Sequence, residues 1–369
     1  MHILHFYKTA SPDSVGGIEQ VIDQIGRGTA RLGVKTDVLS LAPTAINHRV
    51  EYNGYGLHRA KRDFQIASTG FSFSAFRLFS QLAEKADVIH YHFPWPFMDL
   101  VHFMVRPKKP TLVTYHSDIV RQRKLLKLYR PLEKKFLADV KHIVATSPNY
   151  LASSNVLSQY REKTSIIPIG LDKKNYPEPP EKKMRYWENR LGPKFFLFVG
   201  VLRYYKGLHI LVEAAKGTNF PIVIVGAGPI SEELKAQAAK LGVSNLHFLG
   251  YLSEEDKVAL LKLSYAVLFP SHLRSEAFGI SLLEGAMYGK PMISSEIGTG
   301  TTFINIHKET GLVVPPSNPD ALRTAMQYLW ENALEASLMG QQAEKRYWNL
   351  FTADRMAAHY NELYKSLFI

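Results

Sequence analysis

The most chemically loaded stretch of this chain is Glu276-Ala277-Phe278-Gly279-Ile280-Ser281-Leu282-Leu283-Glu284, which sets two carboxylates eight residues apart. The first falls in a loop ahead of a helix, and the second lies about two turns inside it. Glu276 could hold sugar hydroxyls, and Glu284 could accept from a ribose diol. The backbone N–H groups of Phe278, Gly279 and Ile280 are placed to meet sugar or phosphate oxygens. Two glutamates at this spacing mean little alone. Preceded by the strand-like Ala266–Phe269 and by Pro270-Ser271, they mean more. Arg203 and Lys206, within Gly200-Val201-Leu202-Arg203-Tyr204-Tyr205-Lys206-Gly207, also follow a strand at the mouth of a helix. Two cations there can neutralise a diphosphate, and the helix N-terminus adds to the same field. A departing diphosphate gains negative charge as its bond to sugar breaks, which such cations stabilise. Read alone, the segment is equally a solvated basic turn.

Three weaker signals stand beside these. Ser14-Val15-Gly16-Gly17-Ile18-Glu19 lies between the first strand and its helix, where paired glycines let backbone approach a ligand; a tight strand-to-helix turn needs the same residues. His116, in Val113-Thr114-Tyr115-His116-Ser117-Asp118, sits just past a strand, where imidazole can donate or accept near neutral pH. A lone histidine is more often structural. Gly226-Ala227-Gly228-Pro229 suggests a dinucleotide fingerprint, but Ser231 stands where the third glycine belongs. A phosphate-facing or purely structural turn fits better.

These residues must be positioned by alternating elements. His2–Phe6, Thr36–Leu41, Asp87–Tyr91, Thr111–Tyr115, His142–Thr146 and Ser165–Ile167 read as strands, with helical patterns at Gly17–Leu32 and Gln122–Leu137. Residues 45–70 read as a variable loop or hairpin. Asp172–Gly192, with Pro177, Pro179 and Pro180, reads as an exposed connection between domains. A second series follows: strands at Phe195–Val199, Pro221–Val225, Asn245–Leu249, Ala266–Phe269, Pro291–Ser294 and Gly311–Val314, and helices at Lys206–Lys216, Ser231–Leu241, Glu254–Leu263 and Ser281–Tyr288. The tail Asp320–Phe368 reads as wholly helical, with Met356, His359, Tyr360, Leu363 and Leu367 lining one face. Two consecutive doubly wound α/β domains are the simplest outcome, with chemistry expected in a cleft between them.

A chain of 369 residues suits two domains, and 46% apolar content can fill two cores. No run approaches the ~18 apolar residues of a membrane span. Met1–Phe6, followed at once by Tyr7-Lys8 and Asp13, does not read as a secretory leader. The absence of cysteine excludes disulfides, thiolate metal sites and a thiol nucleophile, and is compatible with the cytosol. The net charge of +12 is uneven: residues 1–170 carry 23 basic and 13 acidic side chains, the remainder 22 and 20. A one-sided positive field points to an anionic partner. Its densest part is Arg121, Arg123, Lys124, Lys127, Arg130, Lys134 and Lys135, interleaved with Leu125, Leu128, Leu132 and Phe136 at helical spacing. This stretch reads either as a solvated helix packing its apolar stripe on its own sheet or as a peripheral attachment to anionic lipid. No recognised nucleic-acid module holds these cations, so nucleic acid is not an expected partner.

In this order the motifs resemble the large family 4 of retaining glycosyltransferases, almost end to end. The likeness rests on Gly16-Gly17, Thr114-x-His116, Pro168-Ile169-Gly170-Leu171-Asp172 with Asn175-Tyr176, Arg203 and Lys206-Gly207, Gly226-x-Gly228-Pro229, Phe248-Leu249-Gly250-Tyr251, and Glu276/Glu284. The resemblance implies a GT-B fold, two Rossmann-like domains facing a cleft. An acceptor domain would span 1–172, joined by a helix 352–369 that crosses back, and a donor domain 173–351. It implies catalytic roles for His116, Glu276, Arg203 and Lys206. Donor contacts would come from Gly16, Gly17, Gly228, Tyr251, Phe278, Gly279, Ile280 and Glu284, with Tyr251 bordering the nucleobase. It further implies retention of anomeric configuration with no metal or other cofactor. Only Tyr204 and Tyr205 separate the arginine from the lysine, fewer than in many relatives. His5–Thr9, Gly16–Gln20 and Ile297–Thr301 are similar to bacterial O-antigen and polysaccharide mannosyl- or rhamnosyltransferases. That implies a GDP-mannose-type donor, with a UDP sugar as the competitor. It also implies a lipid-diphosphate-linked saccharide acceptor and a cytoplasmic enzyme on the inner face of the cell membrane. A phosphorylase of the same fold would carry a pyridoxal lysine, for which there is no candidate. A non-catalytic nucleotide-sugar or polyanion binder is the remaining alternative.

Overall fold

Short β-branched runs that are apolar at every position need cover on both faces, and in the computed structural model they form the centres of two mainly parallel sheets. The structure describes residues 1–14, 16–44, 46–66, 69–119 and 123–368; the side chains at 46–47 and 123–125 lie outside the described set. Two compact units result, residues 1–170 with 352–369, and residues 171–351.

In the first unit the order is β1 (His2–Phe6), α1 (Gly17–Ala30), β2 (Lys35–Ala42), β3 (Ile46–Tyr52), β4 (Tyr55–Lys61), β5 (Phe64–Ile66), β6 (Thr69–Phe71) and α2 (Phe73–Lys85). It continues with β7 (Val88–Phe93), α3 (Pro96–Val105), β8 (Thr111–Tyr115), α4 (Arg123–Asp139), β9 (His142–Ala145), α5 (Pro148–Ser153) and β10 (Thr164–Ile166). The sheet runs β10-β9-β8-β7-β1-β2-β4-β3, parallel except where β3 meets β4. Residues 45–70 are therefore more than a loop: β4 pairs with β2 and buries Tyr55, Leu57 and Ala60.

The second unit holds α6 (Glu181–Leu191), β11 (Phe196–Val199), α7 (Leu208–Ala215), β12 (Ile222–Val225), α8 (Ser231–Leu241), β13 (Leu246–Gly250), α9 (Glu254–Leu263) and β14 (Ala266–Phe269). Then come α10 (Ile280–Met287), β15 (Met292–Ser295), α11 (Thr301–Ile304), β16 (Gly311–Val314), α12 (Pro319–Glu331) and α13 (Ala333–Leu350). Its sheet, β13-β12-β11-β14-β15-β16, is parallel throughout. Phe196, Phe198, Leu211, Ile224, Leu268 and Met326 lie in its core.

The connection expected across Asp172–Gly192 is largely a helix. Pro180 sits at the N-cap of α6, where a missing N–H costs nothing, and Trp187 and Leu191 are buried. Trp187 Nε1 donates to Asp256 Oδ1 of α9 at 3.0 Å. The tail breaks near Asn332 and at Phe351-Thr352, and the chain then returns to the first unit as α14 (Ala353–Phe368). His359 faces solvent rather than the expected apolar face, and Tyr364 takes an inward place with Met356, Tyr360 and Leu367. Gly28 allows α14 to press on α1, since a Cβ there would lie 2.5 Å from that of Ala357. Strand order reverses between β1 and β7 in one sheet and between β11 and β14 in the other. Loops leaving the carboxyl ends of such strands diverge and leave a crevice where ligands bind.

Candidate functional site

In the second unit this reversal brings together the loops that follow β11 and β14. Gly207 (φ +70°) lets them touch: a Cβ there would lie 2.0 Å from the Pro270 carbonyl oxygen. The contact carries Lys206 to Glu276, and the two form an ion pair with both side chains only 12% exposed. Ser271 Oγ donates to Glu276 Oε2 at 3.3 Å, and Lys206 Nζ lies 4.9 Å from the centre of the Phe269 ring. Arg203 is exposed. The segment after Glu276 is propped from behind. Gly300 N donates to Ala277 O at 2.8 Å, and a Cβ on Gly300 would meet Phe278 Cδ2 at 2.6 Å. Gly279 (φ +101°) then caps α10, which begins at Ile280. Gly298–Thr301 belongs to this support: Thr299 and Thr301 are fully buried, their hydroxyls 3.3 Å apart.

Glu284, buried in α10, already has partners. Its Oε1 accepts from the Tyr176 hydroxyl and from Lys257 Nζ, each at 2.9 Å. Burial alone would lower the Lys257 pKa, but Glu284 and Glu254 outweigh it and hold that pKa above its ordinary value. Lys257 escaped sequence reasoning, and Tyr176 entered only as part of a motif. A buried pair between separate helices leaves no local pattern. Tyr251, just past β13, is 81% exposed. Gly228 is required by packing, because a Cβ would lie 2.3 Å from Leu202 O, so no donor contact is needed to explain it.

In the first unit, Gly16 is the N-cap of α1 and Gly17 its first residue. Glu19 occupies this turn. It accepts from Thr9 Oγ1 at 2.6 Å and Ser14 Oγ at 3.2 Å, and a Cβ on Gly16 would lie 2.5 Å from its Oε2. The expected approach of donor phosphates to Gly16 and Gly17 would therefore meet a carboxylate. Neutral hydroxyls suit this turn better. Val15 lies outside the described residues. His116 is 6% exposed, its N–H donating to Phe93 O at 3.0 Å. Burial pushes its imidazole pKa down to about 3, so the ring is neutral near pH 7.

The basic helix α4 differs from its expected packing. Leu128 is 80% exposed rather than part of a buried stripe. The inner face carries Glu133, Phe136 and Leu137, rotated so that Tyr129 donates to the buried Asp99 of α3. Lys127, Arg130, Lys134 and Lys135 are exposed. Arg121 lies outside the described residues, as do the side chains of Arg123 and Lys124. Among the described residues no helix is long and apolar enough to cross a membrane.

Comparison with known proteins bears on both units. Residues 181–346 match the family of glycosyl transferases group 1, and residues 15–175 match Glycosyltransferase Family 4. The chain is 63% identical to the D-rhamnosyltransferase WbpZ of Pseudomonas aeruginosa over 96% of its own length and 93% of that protein. It is 49% identical to the O-antigen chain mannosyltransferase C of Escherichia coli over 100% and 99% of the two chains. Its fold matches that of a sucrose-phosphate synthase from Thermosynechococcus elongatus at a TM-score of 0.81 and 21% identity, over 100% of this chain and 99% of that one. A parallel-sheet pair of this topology and identity of that extent over both units lead to one conclusion: the chain is a glycosyltransferase of family 4, with the GT-B fold.

Proposed function

We propose that this glycosyltransferase moves mannose or its deoxy relative D-rhamnose from a GDP-linked donor to a lipid-diphosphate-linked saccharide in O-antigen synthesis. The sugar and the pathway come from the two relatives, a D-rhamnosyltransferase and an O-antigen chain mannosyltransferase. The observation that carries the chemistry is the Lys206–Glu276 pair at the strand-order reversal, with Arg203 exposed nearby. A donor diphosphate competes for Lys206. As it draws Lys206 and Arg203 to its oxygens, Glu276 is released toward the sugar hydroxyls. The N–H groups of Phe278, Gly279 and Ile280 add donors at the start of α10. Glu284, anchored through Oε1, offers Oε2 to the ribose, and the Tyr251 ring stacks on the base.

The anomeric carbon to phosphate-oxygen bond breaks as the acceptor oxygen bonds to the same face. The acceptor proton passes to the leaving phosphate oxygen, and configuration is retained. His116 contacts the transferred sugar. The two cations supply the counter-charge, so the reading needs no divalent ion; turnover that survives EDTA is the expected result.

The base is tested by thermal shift. GDP at about 100 times its Kd should add roughly 2.7 kcal/mol to the folded state. Stabilisation by UDP and none by GDP would move the donor to the UDP class. Attachment to the cytoplasmic leaflet is proposed through α3 and α4. Leu128, Leu100 and Met104 are exposed there beside Lys127, Arg130, Lys134 and Lys135. Each cation near an anionic surface contributes about 1 kcal/mol. Sedimentation at low salt should show binding to phosphatidylserine vesicles and not to neutral ones; equal binding to both rejects the attachment.

A further inference from the structure

Four histidines of the first unit form a row: His5 on β1, His90 and His92 on β7, and His116 after β8, all buried. His5 and His90 are paired in register, and His90 and His92, two apart, share a face of the sheet. His5 Nδ1 lies 2.9 Å from His92 Nε2, and His92 Nδ1 lies 3.0 Å from His116 Nε2. In the other direction His5 Nε2 is 3.5 Å from the Tyr364 hydroxyl, itself 2.7 Å from His90 Nδ1. His90 Nε2 is 2.7 Å from Thr114 Oγ1, which is 2.8 Å from the Tyr360 hydroxyl. Both tyrosines come from α14.

Burial keeps each ring neutral, so each has one N–H and one bare nitrogen. A neutral imidazole between two partners donates on one side and accepts on the other, so polarity set at one end passes along the row. Donation can run from Tyr360 to Thr114, on to His90 Nε2, from His90 Nδ1–H to Tyr364, and on to His5 Nε2. It then continues from His5 Nδ1–H to His92 and from His92 Nδ1–H to His116 Nε2. Every proton inside the row is used, and the one donor left over is His116 Nδ1–H, at the end of the row. Reversal anywhere leaves one hydroxyl proton, on Tyr360, Thr114 or Tyr364, without an acceptor among the described residues, and an unmet donor in a dry interior is the costly arrangement.

We propose that this one-way row fixes His116 as its Nδ1–H tautomer, a hydrogen-bond donor to a substrate oxygen rather than a base, with Tyr360 and Tyr364 as positioning residues that act through it. The donor role rests on the proposed contact of His116 with the transferred sugar; the tautomer does not. A donor there holds a sugar oxygen while the leaving phosphate takes the acceptor proton. His5, His90 and His92 also bring ring nitrogens within 4.8 Å of one another. A metal there would take the bare nitrogens that the row uses as acceptors, so an occupied metal site and the row exclude each other.

Nitrogen-15 histidine labelling of the full chain and long-range proton–nitrogen spectra test this, with His116→Gln assigning the His116 signals. All four rings are expected as Nδ1–H at neutral pH, the form less favoured in free histidine. Tyr364→Phe keeps the ring and removes the hydroxyl, and His116 should then show Nε2–H or an average, although nothing it touches has changed. Transfer by that variant should fall about tenfold in kcat with donor KM nearly unchanged. An Nε2–H His116 in the wild type, an unchanged His116 signal in folded Tyr364→Phe, or stoichiometric zinc in the purified protein overturns the row. If Tyr364→Phe does not fold, the wild-type spectrum decides. A shifted tautomer with unaltered transfer overturns the donor role alone.

Discussion

The carboxylates of the donor site differ in what holds them, and their variants should fail differently. Glu276 is paired with Lys206, both partly shielded from water, and is supported by Ser271. Removing its side chain leaves Lys206 free to bind phosphate but takes away the grip on the sugar. Glu276→Ala should therefore cost about 100-fold or more in kcat, roughly 3 kcal/mol, with a smaller change in donor KM. Steady-state kinetics checks this, and wild-type turnover would remove Glu276 from the site. Glu284 is the inner partner of Lys257 and Tyr176. Glu284→Ala takes the inner of two carboxylates from a mostly buried ammonium and leaves Lys257 to the exposed Glu254, which should cost roughly 1–3 kcal/mol of stability. Its donor KM would then be read on a weakened protein. Tyr176→Phe is the cleaner probe: it removes one anchor of Glu284 and leaves Lys257 paired. Donor KM is expected to rise about fivefold at constant kcat, because the carboxylate is less fixed toward a ground-state contact. A fall in kcat at constant KM would place Tyr176 in the chemistry instead.

At the scale of elements, the fold shows why some features were legible and others not. Strands outside residues 45–70 were read to within two residues because apolar runs with no polar face have one place to go, whereas β3 to β6 were expected only as a loop or hairpin. The loops after β11 and β14 were legible because glycine, cation and carboxylate types survive as motifs. Gly207 is the joint between them, and Gly207→Ala sets a positive φ and a 2.0 Å contact against the chain. It should lower stability by about 2 kcal/mol or more and weaken GDP binding, read by calorimetry with and without nucleotide. Helix α6 was hidden because it buries only Trp187 and Leu191. The face of α4 was misjudged because three leucines suggested a stripe, while the inner face is set by polar groups meeting Asp99. Those groups give the helix a pH dependence. Burial raises the Glu133 pKa to about 7, so the folded state holds a proton that the unfolded chain has lost above about pH 4.5. That contribution is full in acid and fades as pH rises through 7. Glu133→Gln should be nearly neutral at about pH 5 and stabilising by roughly 1–3 kcal/mol at about pH 8. Urea titrations at both values would show it; equal effects at the two would mean that Glu133 is charged in the folded helix.

Across the whole molecule the buried histidines are unevenly shared, and that should decide which unit yields first to acid. His90 and His92, and Thr114 with His116, alternate at the strand period, a signal present in the sequence that only the parallel pairing of β1, β7 and β8 turns into one cluster. All four rings of that cluster lie in the first unit, with pKa values pushed far below normal by burial. A base whose folded pKa is depressed contributes stability above its unfolded pKa of ~6.5 and loses it as pH falls toward the folded value. Each such histidine removes about 1.4 kcal/mol per pH unit once the unfolded form is protonated. Asp99 and Glu133, with raised pKa values in the same unit, oppose this and cancel about half of it. These six groups together give a net loss of roughly 3 kcal/mol per pH unit below ~6, and His102 and His142 of the same unit, also lowered by burial, add to it. In the second unit His209 has a lowered pKa, an isolated case set against four packed rings. Hydrogen exchange at about pH 5 should therefore open β1, β7 and β8 before β11, β12 and β14. The distinguishing element is α14. It is the C-terminal segment of the chain yet supplies Tyr360 and Tyr364 to the histidine row, so its amides should exchange with those of β1 and β7 and not with the adjoining α13. If α14 instead kept pace with α13, or both units lost protection together, the histidine row would not be what sets the acid limit of the fold.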